Sequence, residues 1–592
     1  MARCNEQIWL ANMNETMLLG VAPWVAQWLT PIWILSAGVT AGILALVVIW
    51  GLFYLGSRIP GVSELGTDPK RRTVAAWVGA AILAAVYFYF ATPFIRGNWE
   101  RSGPNLLLFM LLLTPICYIL PRSMVMLLTR RSIREVPEAV REGVLWPLLI
   151  VALSISVFTV MGIGLIRNPQ EYFRVLQRWA TVGNIQKTFS IPVPSADASV
   201  AEYHPIDVTF HRNEVRMIRF QSSENVEIRS RPIDEDITME ARLIEITSRD
   251  VEQVPANPGS MRVLFRADEV NRLWVLNRGA KPAEVTIFVD FRPAIPEVAA
   301  IPLTAIAVVG LFLLYFMQRA SFPRMSAVAL ATAKSEMGQP LFVILAVFGV
   351  LCLGAFIFIP GNTFGEDIKI LKDSGLTLIK VLACFQAIWA AGVSVAEEIE
   401  GRTALTVLSK PIDRRAFILG KFVGISWTAA LMFIILGSFF ILFVAYKPIY
   451  DAREGANDDP TWQICFWEAT RVIPGMVLAY METMVLASIS VAISTRLPMV
   501  ANFTICFTIY LLGNLAPLIV QKSEDQFPIV QFFAQLIATV FPNLENFNTY
   551  AAIAGGKDVP VLYLGGAGLY CLIFTFISML LALLLFEDRD LA

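Results

Sequence analysis

The sequence predicts a polytopic α-helical membrane protein of about eleven transmembrane helices, with one β-sandwich-like domain inserted on the extracytoplasmic side. Three observations predict it. The 592-residue chain is 56% hydrophobic and only 16% charged, with a mean hydropathy of +0.62, whereas soluble domains carry about 25% charged residues. Its apolar residues fall in blocks at roughly 31–55, 74–95, 105–121, 143–166, 298–317, 339–359, 375–396, 422–446, 473–494, 499–520 and 562–586. Most of these reach the about 20 residues that cross a bilayer. Between the fourth and fifth blocks the pattern changes to short alternating segments.

Residues 1–166 form an N-terminal membrane region of four spans. Met1 is followed by no charged n-region and no clean cleavage site, so residues 16–30 read as an interfacial lead-in to the first span. Residues 167–297 form the inserted domain. A juxtamembrane helix is expected over 170–189. Strands follow at Ile206–Phe210, Glu214–Phe220, Asn225–Arg229, Ile237–Ile246, Met261–Phe265, Arg272–Leu276 and Glu284–Phe291, short and largely β-branched. Val285, Ile287 and Val289 show the period of two of a half-buried strand. Asn257-Pro258-Gly259 and Asn277-Arg278-Gly279 supply turn chemistry. About seven strands in this length suggest a small sandwich. Residues 298–320 are the fifth span, and 321–592 hold six more.

Orientation follows from Lys and Arg. With the N-terminus outside, about nineteen bases fall in the inner loops, among them Lys70, Arg71, Arg72, Arg130, Arg131 and Arg134. About ten fall in the short outer segments. The positive-inside rule therefore gives N-out and C-in. That places the β domain outside the cytoplasm and residues 397–421 inside it. The net charge of −1 says nothing about partners in a membrane protein, and no nucleic-acid partner is expected.

Several chemistries have no motif. Gly-Lys occurs only at 420–421 and 556–557, each without a following Ser or Thr, so the chain has no phosphate-cradling loop of its own. No Cys-x-x-Cys, zinc helix or nucleophile elbow is present. Cys117, Cys352, Cys384, Cys506 and Cys571 lie in spans as small hydrophobes, while Cys4 and Cys465 are expected to face outward. His204 and His211, near Glu202 and Asp207, read as strand-rim polar residues; no metal site is expected.

The most informative stretch is 397–421, EEIEGRTALTVLSKPIDRRAFILGK. Its four acids and five bases exclude it from hydrocarbon, yet long apolar spans hold both its ends at the membrane. Ile399, Ala404, Leu405 and Leu408 recur at helical spacing, and Glu398 with Arg402 makes a favourable i,i+4 pair. Pro411 disfavours helix at Lys410 and forces a bend. Asp413 is placed to cap the helix that continues into the next span. The expected result is a rigid V-shaped protrusion, with Arg414 and Arg415 in the first turn of its second limb.

This run resembles the coupling segment of ABC transporter permeases of the type-2 export class. The matching residues are Glu398, Glu400, Gly401, Thr403, Leu405, Leu408, Pro411, Ile412, Arg414, Arg415, Leu419, Gly420 and Lys421; Gly401-Arg402-Thr403 departs from the commoner Lys-Gly-Thr order. The resemblance covers about 321–592, with 321–338 similar to the family's interfacial connecting helix. Pro528–Phe541 is too short to span and suits a re-entrant or interfacial helix. The resemblance implies a permease without an ATPase site. ATP and Mg²⁺ would sit on a separate ABC ATPase subunit, and the permease would pair as a homodimer or heterodimer in lipid, in a bacterial inner membrane.

Glu482 lies near the middle of its span and is a functional candidate by default, with Asn514 and Gln386 as hydrogen-bond partners. Lys380 reads as a snorkelling residue. Three functions are consistent with these features. The first is the membrane subunit of an ATP-driven exporter. The second is an ABC-type mechanotransmitter acting on an envelope partner through the β domain. The third is an ion-coupled secondary transporter, which predicts more intramembrane charge and an inverted repeat. The residues name no substrate.

Overall fold

The computed structural model describes residues 23–59, 68, 70–85, 118–127, 130–166, 169–179, 185–193, 203–229, 244–247, 251–255, 265, 269–291, 295–358, 367–401, 413–523 and 527–587. The chain divides into two compact units. One is formed by Met1–Ile166 with Ile301–Ala592, the other by Arg167–Ala300.

In the larger unit the first helices are α1 (Pro23–Ser57), α2 (70–85), α3 (118–127), α4 (Arg130–Glu142) and α5 (Leu145–Ile163). α1 lies along α5. Their contact is fixed by Trp33, which is fully buried and donates its indole N–H to the Thr159 carbonyl at 3.0 Å. Thr40 and Thr159 share a hydroxyl bond of 2.9 Å beside it. Polar contacts of this kind hold apolar helices together where lipid gives no hydrophobic drive.

The smaller unit begins with α6 (Pro169–Trp179) and continues through β1 (Ile185–Ile191), β2 (His204–His211), β3 (Val215–Ser222), β4 (Val226–Arg229), β5 (Ile244–Ile246), β6 (Val251–Pro255), β7 (Glu269–Asn277) and β8 (Ala283–Phe291). The helix is shorter than the sequence suggests. It ends at Trp179, and the β-branched and aromatic residues Ile185, Thr188, Phe189 and Ile191 enter a strand instead. Two four-stranded antiparallel sheets result, ordered β1-β8-β3-β6 and β2-β7-β4-β5. Ile206, Val208 and Phe210 from one sheet, and Val285, Ile287 and Val289 from the other, share one core. In β3 the inward set changes phase between Val215 and Ile218, because a bulge falls between Val215 and Met217. The expected turn at Asn277 forms: Gly279 donates its backbone N–H to Asn277 Oδ1 at 2.8 Å, and Asn277 Nδ2 reaches the Lys281 carbonyl at 2.8 Å. The expected strand Met261–Phe265, apart from Phe265, and the start of Ile237–Ile246 lie outside the described residues.

The larger unit resumes with α7 (Ala300–Ser321), α8 (Pro323–Gly338), α9 (Pro340–Phe358), α10 (Asp367–Ala391), α11 (Arg414–Glu454), α12 (Trp462–Ser494), α13 (Met499–Ser523), α14 (Pro528–Val540), α15 (Tyr550–Ala554) and α16 (Val561–Glu587). α10, α11 and α12 pack on one another at the centre, and α8, α9 and α16 pack around them. Leu376, Ile379, Leu431, Leu436, Phe440, Val472 and Ala479 form that centre. Large apolar residues of the outer helices, such as Leu351, Phe358, Phe507, Leu518, Phe576 and Leu584, stay exposed, as lipid-facing positions do. Among the described residues nine helices are long and apolar enough to cross a membrane. Of the block 74–95 only 74–85 are described, and of the block 105–121 only 118–121. α14 is apolar but has only 13 residues.

Cys465, expected on the outer side, is packed within the helices rather than exposed. It is fully buried in α12 as a free thiol, because the helix starts at Trp462, well before the apolar block at 473, and carries Cys465 into the packed face.

Candidate functional site

Two polar constellations lie in the C-terminal half. The first gathers at the ends of α8, α10 and α11. α10 does not stop at its apolar block: a π-helical segment, Gly392–Glu397, carries it on to Glu398–Glu400. Such widened turns re-aim side chains and concentrate at functional sites. Here the turn brings Glu398 to Lys421 of α11, with Nζ 2.5 Å from Oε1. Arg402, the expected i,i+4 partner of Glu398, lies outside the described residues. Lys421 is buried and its ammonium also faces the Phe417 ring at 5.4 Å.

Beside this pair lies Glu336 of α8, only 2% exposed. Burial pushes its carboxyl up to about 8, the Lys421 charge pulling it back and the Glu398 and Glu397 charges adding to the rise. Gln339 donates to Glu336 Oε1 at 3.4 Å. Glu336 was missed by sequence reasoning, its only signal being an acid in a helix of small residues.

Asp413 occupies the N-cap position of α11 but makes no side-chain cap. Its carboxylate turns instead to Arg324 at 3.4 Å, an ion pair that competes with the cap for the same oxygens. Arg414 donates to the Glu587 carbonyl at 2.9 Å, tying α11 to the end of α16. Arg415, Glu400 and Gly401 are exposed. Thr403, Leu405, Leu408, Pro411 and Ile412 lie outside the described residues.

Gly420 and Gly424 let α11 lie against α8 at backbone distance. A Cβ at Gly420 would stand 2.7 Å from Val328 Cβ and 2.8 Å from the Met325 carbonyl oxygen. Backbone cannot swing aside as a side-chain tip can. Gly420→Ala is therefore expected to destabilise the chain by about 1–3 kcal/mol, read as a lower unfolding midpoint in detergent. An unchanged midpoint would mean that the helices part freely there.

The second constellation is inside the membrane-spanning region. Glu482 of α12 is fully buried, and Lys380 of α10 places Nζ 3.3 Å from Glu482 Oε2. Lys380 does not snorkel. It is buried, its ammonium bracketed by the rings of Tyr510 and Tyr550 at 5.6 and 5.1 Å. Asn514 of α13 donates to Glu482 Oε1 at 3.4 Å and to the Tyr510 carbonyl at 2.9 Å. Gln386 is buried in α10, and its Oε1 accepts no hydrogen bond. Nearby, Cys384 Sγ and Thr483 Oγ1 stand 3.3 Å apart. A second rung joins the same two helices, where Lys372 bonds Glu468; Arg471 of α12 pairs with Asp558, ahead of α16, at 3.0 Å. Lys372 and Lys380 are about two turns apart, and Glu468 and Glu482 about four turns apart.

In the smaller unit His204 and His211 stand at opposite ends of β2, and Asp207 pairs with Arg272 at 3.0 Å. Among the described residues no three His, Cys, Asp or Glu side chains are grouped to hold a metal ion. A fully buried charge in this unit is Glu227. Burial raises its carboxyl, but hydrogen bonds from Tyr203, Arg229 and Arg278 outweigh that and hold it below the usual range. These bonds measure 2.5, 2.9 and 2.5 Å.

Apolar helices around a buried central trio, with internal ion pairs joining two of the spans, define a multi-pass membrane protein. Residues 290–591 match the family described as ABC-2 family transporter protein, and the chain belongs to that family. No curated protein matches the chain.

Proposed function

We propose that the chain is the transmembrane permease subunit of an ATP-driven ABC exporter. A separate ABC ATPase would bind ATP and Mg²⁺, and two permeases, identical or not, would form the pathway in a bacterial inner membrane. The N-terminus would lie outside and the C-terminus in the cytoplasm, with the β-rich unit on the extracytoplasmic side. Residues 397–421 would then be the surface against which the ATPase closes, transmitting that motion to the spans.

The observation that carries this reading is the junction of Glu398 with Lys421. It ties the end of α10 to the start of α11 at both roots of the segment, so a push on the segment would move both helices together. The family membership supports it.

The test is a mild-detergent pull-down of the tagged chain, scored for a co-purifying P-loop ATPase. It is compared with a variant in which Glu398, Arg414 and Arg415 are changed to alanine. The expected result is an ATPase retained by the parent and lost from a folded variant. Retention by both would move the docking surface elsewhere. No ATPase with either stable preparation would overturn the reading and favour ion coupling through Glu482.

A further inference from the structure

The larger unit contains a cavity of about 490 Å³ lined by α3, α4, α7 and α8, within the range of small-ligand pockets, roughly 300–1,000 Å³. Its walls are mixed. Leu127, Val136, Ala139, Phe316 and Leu330 supply apolar surface, while Tyr315, Arg319 and Ser326 bring polar groups.

A buried hydroxyl, the guanidinium beside it and a helix end at this cavity point to an anion. Tyr315 is only 3% exposed, and its hydroxyl has no hydrogen-bond partner of normal length, the charge that acts on it being the neighbouring Arg319 guanidinium. Its ring is held by Trp427, centroids 5.4 Å apart in an edge-on contact, so the hydroxyl is fixed in place. Arg319 sits in the last turn of a membrane-spanning helix, the depth at which guanidinium groups meet lipid phosphates. Finally, α8 starts at the cavity: Pro323, Ser326 and Ala327 line it. Phe322, at its N-cap, gives no side-chain cap. The positive end of the α8 dipole thus lies at the cavity, although Pro323 has no N–H and Ser326 gives its own to the Phe322 carbonyl at 2.9 Å. Glu135 also lines the cavity but has an interaction of its own.

We propose that this cavity binds the phosphodiester headgroup of a membrane phospholipid, with Arg319 and Tyr315 on the phosphate, beside the positive end of α8, and the apolar walls on the glycerol and upper acyl chains. The occupant is a lipid rather than a soluble anion because α7 leaves the membrane at this point and most of the lining is apolar. The site joins α3 and α4, outside the family-matched residues, to α7 and α8 inside them. Lipid would thereby pin the first helices to the transporter half. The inference needs only that the chain spans a membrane, and stands apart from the exporter reading.

The experiment follows thermal unfolding of the delipidated full chain in detergent, titrated separately with phosphatidylglycerol, phosphatidylethanolamine, diacylglycerol and inorganic phosphate. Native mass spectrometry counts the lipid retained. Both phospholipids should raise the midpoint saturably, with one lipid retained, and diacylglycerol and inorganic phosphate should not. Arg319→Gln and Tyr315→Phe should each raise the half-saturating phospholipid concentration about tenfold, as loss of one hydrogen bond to a charged group implies. Tyr315→Phe keeps the ring against Trp427, so it reports even where Arg319→Gln fails to fold. Equal stabilisation by diacylglycerol would overturn the headgroup assignment. Equal stabilisation by inorganic phosphate would overturn the lipid. Unchanged half-saturation in a folded Tyr315→Phe variant would overturn the site.

Discussion

Lys380→Met should lower the stability of the chain by about 3–5 kcal/mol, while the double variant Lys380→Met with Glu482→Leu should recover most of the loss. The single change strands a carboxylate that is fully buried next to Asn514, and removing one partner of a buried pair costs that much. The double change leaves two apolar side chains of similar length, which low-dielectric surroundings accept. The measurement is the unfolding midpoint and folded yield in detergent. A double variant as unstable as the single one would mean that the pair does not set the stability of this contact.

The same variants separate structure from function. In the proposed exporter, ATPase stimulation by the permease gives a readout that stability does not move. A stable double variant that still stimulates its ATPase makes the pair a clamp between α10 and α12. A stable double variant that binds the ATPase without stimulation makes it part of the moving machinery.

How much of this was legible varies with the residue. The long apolar blocks announced the spans, but not their ends. The block 375–396 becomes a helix from Asp367 through Glu400, since Lys372 is paired to Glu468 and a paired charge is tolerated where a lone one is not. Lys380 was misread because its partner lies about a hundred residues away on a different helix, and snorkelling is the only local solution. In the β unit, β1 and β6 escaped notice. Both are edge strands of one sheet, with Gln186, Lys187 and Ser190 in β1 and Glu252, Gln253 and Pro255 in β6. Edges need less apolar surface and accept proline, so alternation is weak where one side meets solvent. At the candidate site, the family resemblance marked Glu398 and Lys421, but a π-helical turn was needed to bring them together. Nothing in the local sequence foretells that turn.

Glu336 gives the sharpest pH-dependent expectation. Its folded-state value is raised to about 8 from 4.5, so between those values the folded chain holds a proton that the unfolded chain has released. Stability contributed by this group is therefore full below pH 4.5, declines as pH rises, and levels off above pH 8. Glu336→Gln removes that slope and should gain roughly 3–5 kcal/mol at pH 8 and above, read from unfolding midpoints across the pH range. A parent and variant with parallel profiles would show that folding does not raise the Glu336 carboxyl. Lys421→Met should act the opposite way. It removes the cation that pulls Glu336 down and that holds Glu398, so the carboxylates must take up protons or repel. In the proposed exporter that variant should still bind its ATPase, since Arg414, Arg415 and the exposed segment are untouched. It should nevertheless lose most of the stimulation, because α10 and α11 would no longer move as one. Adding Glu336→Gln should restore stability without restoring stimulation, which distinguishes a fold repaired by removing charge from a lever that needs the Glu398–Lys421 bond.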